Sequence, residues 1–150
     1  MDAMERCPCS SGLPYGECCG PLHAGAGSAG AVNAGAVHAG AVHAPTAEAL
    51  MRSRFSAFAV GDTDYLLDTW HPSTRPASLD LDDDTRWIRL DIVSRTAGGP
   101  FDERGEVAFE ARFRSRTSAE RGVLREHSRF LRESGRWYYV DGDVGPTMTP

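Results

Sequence analysis

The hydrophobic period of this chain changes once, near residue 85, and that change limits the folds open to it. Before it, the run APTAEALMRSRFSAFAVGD places Ala47, Leu50, Met51, Arg54, Phe55 and Phe58 on one face of a helix. Thr46 is its N-cap, and Glu48 in the first turn suits the helix dipole. Gly61 closes it. Asp62 caps a second helix, DTDYLLDTW, with Tyr65, Leu66, Thr69 and Trp70 on one side. His71-Pro72 ends that helix, because a residue before proline avoids the helical region. Beyond residue 85 the period is two. Ile88, Leu90 and Ile92 share a strand face, then Val107, Phe109, Ala111 and Phe113, then Leu124, Glu126, Ser128 and Phe130. TAGGPFDERG and RSRTSAERG are turns, ESGR is a tight hairpin loop, and WYYVDGD is a final strand. Two helices followed by consecutive antiparallel strands predict an α+β domain, with the helices packed across one face of a curved sheet.

Two positions break the apolar pattern. Arg54 lies in the stripe of the first helix, and Glu126 lies in the inward register of the third strand, followed by Ser128. A lone buried charge is costly, so an inward Arg and an inward Glu point to a pair between helix and sheet, bordered by Trp70, His71 and Ser128. The competing reading has Arg54 snorkelling to the edge and Glu126 at a frayed strand end. The acidic residues Asp80, Asp82, Asp83 and Asp84 read as a solvated loop with a helix-capping role.

All four cysteines of the chain fall in CPCSSGLPYGECC, as Cys7, Cys9, Cys18 and Cys19. Two disulfides would need an oxidising compartment, and the N-terminus MDAMERCPCSSG has no apolar signal region. Four buried free thiols would need apolar neighbours, whereas this stretch offers Pro8, Ser10, Ser11, Gly12, Pro14 and Gly16, which are turn residues. A structural zinc site fits both facts, since Zn²⁺ takes four thiolates in a tetrahedron. Gly12 and Gly16 are expected to turn backbone N–H groups toward the sulfurs. His23 could serve as an alternative ligand, but four thiolates already complete the shell, so it reads as a surface or packing histidine.

AGAGSAGAVNAGAVHAGAVHA follows, repeating AGAV[N/H] every five residues, a period that suits neither helix nor strand. It offers little apolar surface to offset ordering entropy, so residues 24–44 read as a flexible linker, with His38 and His43 too sparse for a metal site. The organisation expected is a zinc knuckle over 1–23, the linker, a main domain over 45–143, and a disordered tail over 144–150. A net charge of −5 without a basic stripe points away from nucleic acid. No apolar run approaches the roughly 20 residues that span a bilayer. The cytoplasm, where thiols stay reduced, is the expected compartment.

The spacing Cys7-x-Cys9-x-Ser11-Gly12, then Cys18-Cys19-Gly20, resembles the SEC-C motif, which implies that all four cysteines are zinc ligands. The loop LPYGE is not basic, unlike many such loops. With MRSR, TWHP, SRF and WYY in this order, the chain from Cys7 to about Asp143 resembles the YchJ-like bacterial proteins, the Ala/Gly repeat standing as a local insertion. That resemblance implies a nuclear-transport-factor-2-like cone, a curved antiparallel sheet packed on helices, carrying a small N-terminal zinc-binding knuckle. A second SEC-C motif, which some relatives carry at the C-terminus, has no counterpart in DVGPTMTP. In the translocase motor SecA a similar motif serves partner contact. The function expected is that of an adaptor or binding module, with structural zinc as the cofactor, a protein partner at the knuckle and a small ligand in the cone. No catalytic residue is assigned. The alternative is a small-molecule enzyme, an isomerase or hydrolase type, using His71, Arg54 and Glu126 in the cone.

Overall fold

A computed structural model of the protein describes residues 1–26 and 42–145. Most of the expected linker, including His38, and the last five residues lie outside them. Two helices in sequence, α2 (Ala47–Val60) and α3 (Thr63–Asp68), precede four strands: β1 (Thr85–Ala97), β2 (Arg104–Ser115), β3 (Arg121–Glu133) and β4 (Arg136–Val144). A short helix, α1 (Gly20–Ala26), precedes them all and carries the chain into the first residues of the expected linker. The strands form one antiparallel meander in the order β1-β2-β3-β4.

Local chemistry sets the helix ends. Thr46 Oγ1 accepts the Ala49 N–H at 3.0 Å, and Asp62 Oδ1 accepts the Tyr65 N–H at 3.0 Å. Gly61 takes the left-handed conformation that stops α2, at φ 80°. The Ser134-Gly135 corner between β3 and β4 is left-handed at both residues, as a two-residue hairpin turn requires.

The core fills the space between α2 and the inner face of the sheet. Leu50, Met51 and Phe55 from α2 meet Leu90, Val107, Phe109, Phe130 and Trp137. The inward register expected for β2 and β3 holds, but β1 departs from strict alternation. A register shift between Trp87 and Arg89 pushes Ile88 out, leaving it 40% exposed, and turns Trp87 inward against Phe113 instead. An extra residue on a strand reverses the face of everything before it.

The acidic run has a structural role, though not at a helix. Asp84 accepts from Ser115 Oγ at 2.6 Å and from the Thr117 N–H and hydroxyl, so it clamps the β2–β3 turn. These hydrogen bonds, Ser115 first, hold its carboxyl below the usual aspartate range. No helix among the described residues is long and apolar enough to cross a membrane.

α2 is buried nearly all round, which one sheet cannot achieve. Its face toward the sheet carries large apolar side chains. On the side away from the sheet it buries small residues: Ser53, Ser56 and Ala57. That second face is covered by α1, α3 and the N-terminal cysteine knuckle.

Candidate functional site: the cysteine knuckle and the cone cavity

The segment before α1 is tied together by backbone pairs, Cys7 N–H to Leu13 O at 2.9 Å and Tyr15 N–H to Glu5 O at 2.7 Å. This folds Cys7 and Cys9 back over Cys18 and Cys19. The four Sγ atoms all lie within 4.8 Å of one another, and three of the four residues are buried. Sulfurs about 2.3 Å from a central Zn²⁺ would stand about 3.8 Å apart. Cys9 and Cys18 are 3.5 Å apart, and Cys18 and Cys19 are 3.9 Å apart. The donor set therefore fits a tetrahedral thiolate site, and no position is left open for substrate. Four sulfurs this close cannot all ionise unaided. Hydrogen bonds from Cys19 and Cys9 hold the Cys7 thiol far below its ordinary range, while burial pushes Cys18 up to about 11.

Hydroxyls reach three of the four sulfurs, and the Cys9 backbone adds a contact to Cys7. Ser56 Oγ lies 3.3 Å from Cys19 Sγ and 3.5 Å from Cys7 Sγ, and Ser11 Oγ lies 3.2 Å from Cys18 Sγ. The Gly16 N–H is spent on Ala3 O at 2.9 Å, so its expected turn toward sulfur does not occur. Ser56 belongs to α2, and this contact is the first of several that dock the knuckle. Arg52 Nη1 donates to Cys9 O at 2.9 Å, and Ser10 Oγ accepts the Leu90 N–H at 3.1 Å on the open edge of β1.

His23 is a packing histidine with both ring nitrogens engaged. Ser53 O can only accept, so Nε2 at 2.8 Å donates to it, and Nδ1 then accepts from the Tyr15 hydroxyl at 2.6 Å. Its ring packs on Tyr65 with centroids 4.6 Å apart. The knuckle is thus built onto the main domain by direct contacts, although a flexible linker is expected between the two. The signal in the sequence was the small face of α2, Ser53, Ser56 and Ala57, at helical spacing.

On the far side of α2 lies a cavity of about 180 Å³. Met51, Arg54 and Phe55 form one wall, and Trp87, Phe109 and Leu124 face them from the sheet. Trp70, Glu126 and Tyr139 complete it. Arg54 is 3% exposed. Its Nη1 donates to Leu66 O and Thr69 Oγ1, both at 2.7 Å. Its guanidinium carbon lies 5.2 Å from the Trp70 ring centre and 4.5 Å from that of Tyr139, within cation–π range. Burial brings its pKa down to about 10.

Glu126 reaches the same cavity from β3. Its Oε2 accepts from Ser128 Oγ at 2.5 Å and from the Tyr139 hydroxyl at 3.3 Å. Gly142 on β4 makes room for this carboxylate, because a Cβ there would collide with Glu126 Oε2. Arg54 and Glu126 therefore line one cavity but form no direct ion pair, since no carboxylate among the described residues comes within 4.0 Å of Arg54. Tyr139 stands between them.

Ser128, fully buried, positions Glu126 without lining the cavity. His71 lies elsewhere. The chain after α3 runs beside β4 as an extended bridge, Trp70 opposite Tyr139, so Trp70 faces inward and His71 faces out. The His71 ring packs on Tyr138 at 5.7 Å, with Nε2 3.0 Å from Glu133 and Nδ1 2.7 Å from Ser73 Oγ. The cavity has no imidazole among its lining residues.

Comparison with known proteins follows the same division. The model of the middle, NTF2-like domain of YchJ matches residues 46–142, and the SEC-C motif matches residues 5–21. A UPF0225 protein of Corynebacterium efficiens is 52% identical over 139 residues, covering 93% of each chain. One from Streptomyces coelicolor is 45% identical over 137 residues, covering 91% of this chain and 94% of that one. Among solved structures, a SEC-C motif containing protein from Rhodopseudomonas palustris superposes with a TM-score of 0.71 at 32% identity, covering 95% of this chain and all of its own. A second, from Psychrobacter arcticus, gives 0.69 at 26% identity, covering 96% of this chain and 85% of its own.

Proposed function

The chain belongs to the YchJ-like UPF0225 family, with a SEC-C motif and an NTF2-like domain, and from that premise we propose that it is a non-catalytic, zinc-containing binding module. The cone is the receptor for a small ligand, and the knuckle holds a structural zinc that braces one wall of it. One observation carries this reading: Ser56 contacts the sulfurs of Cys7 and Cys19, while Arg54 and Phe55, its neighbours on α2, line the cavity. A thiolate site with no open position supplies rigidity and no chemistry. Reduced thiols of this kind belong in the cytoplasm. The outward side of the knuckle, where Met4 is 81% and Leu13 49% exposed, is the surface offered to a protein partner. Nucleic acid is a poor match for a chain of net charge −5.

An enzyme in the cone is the second reading, favoured by a carboxylate seated between two hydroxyls at Glu126. It would have to work with Glu126, Arg54 and the Tyr139 hydroxyl, because His71 lies on the other side of β4.

The test is to strip the metal from the full chain with a strong chelator while following tryptophan emission. Trp70 and Trp87 line the cavity. Release of one zinc per chain should change their emission, and restoring zinc should reverse the change. Emission that stays constant while zinc leaves would separate knuckle from cone and sink the bracing role.

A further inference from the structure

Arg54 is a buried cation with unspent donors. Only Nη1 hydrogen-bonds, to Leu66 O and Thr69 Oγ1, and Nε and Nη2 have no hydrogen-bond partner among the described residues. The two ring faces of Trp70 and Tyr139 soften the charge without neutralising it. Buried charges are ordinarily paired or hydrogen-bonded throughout. Trp70 Nε1, also buried, lacks an acceptor among the described residues. A second charge of opposite sign, Glu126, faces the same space, with Oε2 engaged and Oε1 without a partner among the described residues. The remaining wall is apolar and largely aromatic, with Phe55, Phe58, Trp87 and Phe109 around about 180 Å³. Apolar pockets with a few placed polar groups are the usual form of small-ligand sites.

The two charges fail to meet although both belong to one cavity. A ligand that satisfies them both must be negative at one end, hold a hydrogen-bond donor at the other, and be apolar between. A simple anion would leave Glu126 facing it unpaired. A simple cation would leave Arg54 as it is. We propose that the cone binds a small organic acid with a ring-sized apolar body, its carboxylate on Arg54 and a hydroxyl or amino donor on Glu126. This rests on the receptor role given to the cone and names its ligand class. Gly142 belongs to the same design, since any side chain there would displace the carboxylate that receives the donor.

Three probes of one shape test it by calorimetry on the zinc-loaded full chain: 4-hydroxyphenylacetate, its neutral amide, and phenylacetate. The hydroxy acid should bind tightest. The amide should bind at least about tenfold more weakly, as expected when a charge-assisted hydrogen bond is lost. Phenylacetate, which offers Glu126 nothing, should also fall by about tenfold. In Arg54→Met the acid and amide should bind equally, while zinc content is retained. This variant replaces an unpaired buried charge with an apolar chain of similar length, a change that cores tolerate. Should it fail to fold, the three probes on the natural chain decide alone. Equal binding of acid and amide would overturn the ligand class and leave the receptor role standing. Failure of all three probes at millimolar concentration would overturn both.

Discussion

Replacing Cys18 and Cys19 together by serine is expected to empty the metal site and to lower the melting temperature of the whole chain by about 10 °C. The size follows from the docking contacts. Without metal the knuckle has no apolar core, only turn residues around four sulfurs. Its unfolding releases Arg52 from Cys9 O, Leu90 N–H from Ser10, and Ser53 O from His23. Three such hydrogen bonds contribute about 3 kcal/mol in all. For a chain of this size that corresponds to about 3 °C per kcal/mol. The loss of α1 from Tyr65 and Leu22 from its cluster adds to it. Differential scanning calorimetry with parallel metal analysis gives the answer. A knuckle that merely hung from a linker would lose its zinc with no change in the main transition.

Trp137→Ala should cost about 3–5 kcal/mol, the usual range for deleting a fully buried large aromatic. Trp137 is 1% exposed and stands at the centre of the core, among Leu50, Met51 and Phe130. It also joins β4 to the entry of α2, because its Nε1 donates to Pro45 O at 3.3 Å. The substitution therefore opens a void and leaves that carbonyl without its donor. Tyr138→Ala is the natural control. Tyr138 lies on the other face of the strand against His71 and Arg136, and should cost about 1 kcal/mol. Denaturant unfolding of the two variants separates them. Equal losses would place the core on the wrong face of β4.

Local signals are legible in the sequence because their causes are local. Thr46, Asp62 and Gly61 act on atoms within a few residues, and the period-two runs of β2 and β3 show their inward faces directly. The outward turn of Ile88 is not legible, because a bulge is a property of the strand pair and nothing within RWIRLDIV shows where the partner strand will slip. Because His71 adjoins Trp70 in sequence, a shared cavity is the natural expectation. The two are neighbours in an extended bridge to β4, and in extended chain neighbours point to opposite sides. Arg54 and Glu126 stand out in the sequence as charges at apolar positions, and both line one cavity without pairing directly. Leu66 O and Thr69 engage the arginine, and Ser128 and Tyr139 engage the glutamate, so each charge is held short of the other. Gly142, flanked by acids in DGD, was the readable sign that a neighbour needed its space. The docking of the knuckle was the least legible feature. It depends on polar contacts between residues far apart in sequence, Cys7 with Ser56 and Ser10 with the Leu90 N–H.

The proposed role of the knuckle depends on four sulfurs holding one zinc in a closed site packed against α2. X-ray absorption at the zinc edge of the purified full chain tests it most directly. The expected spectrum is that of a shell of four sulfurs at about 2.3 Å with no nitrogen or oxygen ligand. A shell containing oxygen or nitrogen would mean an open or differently ligated site, and would contradict it.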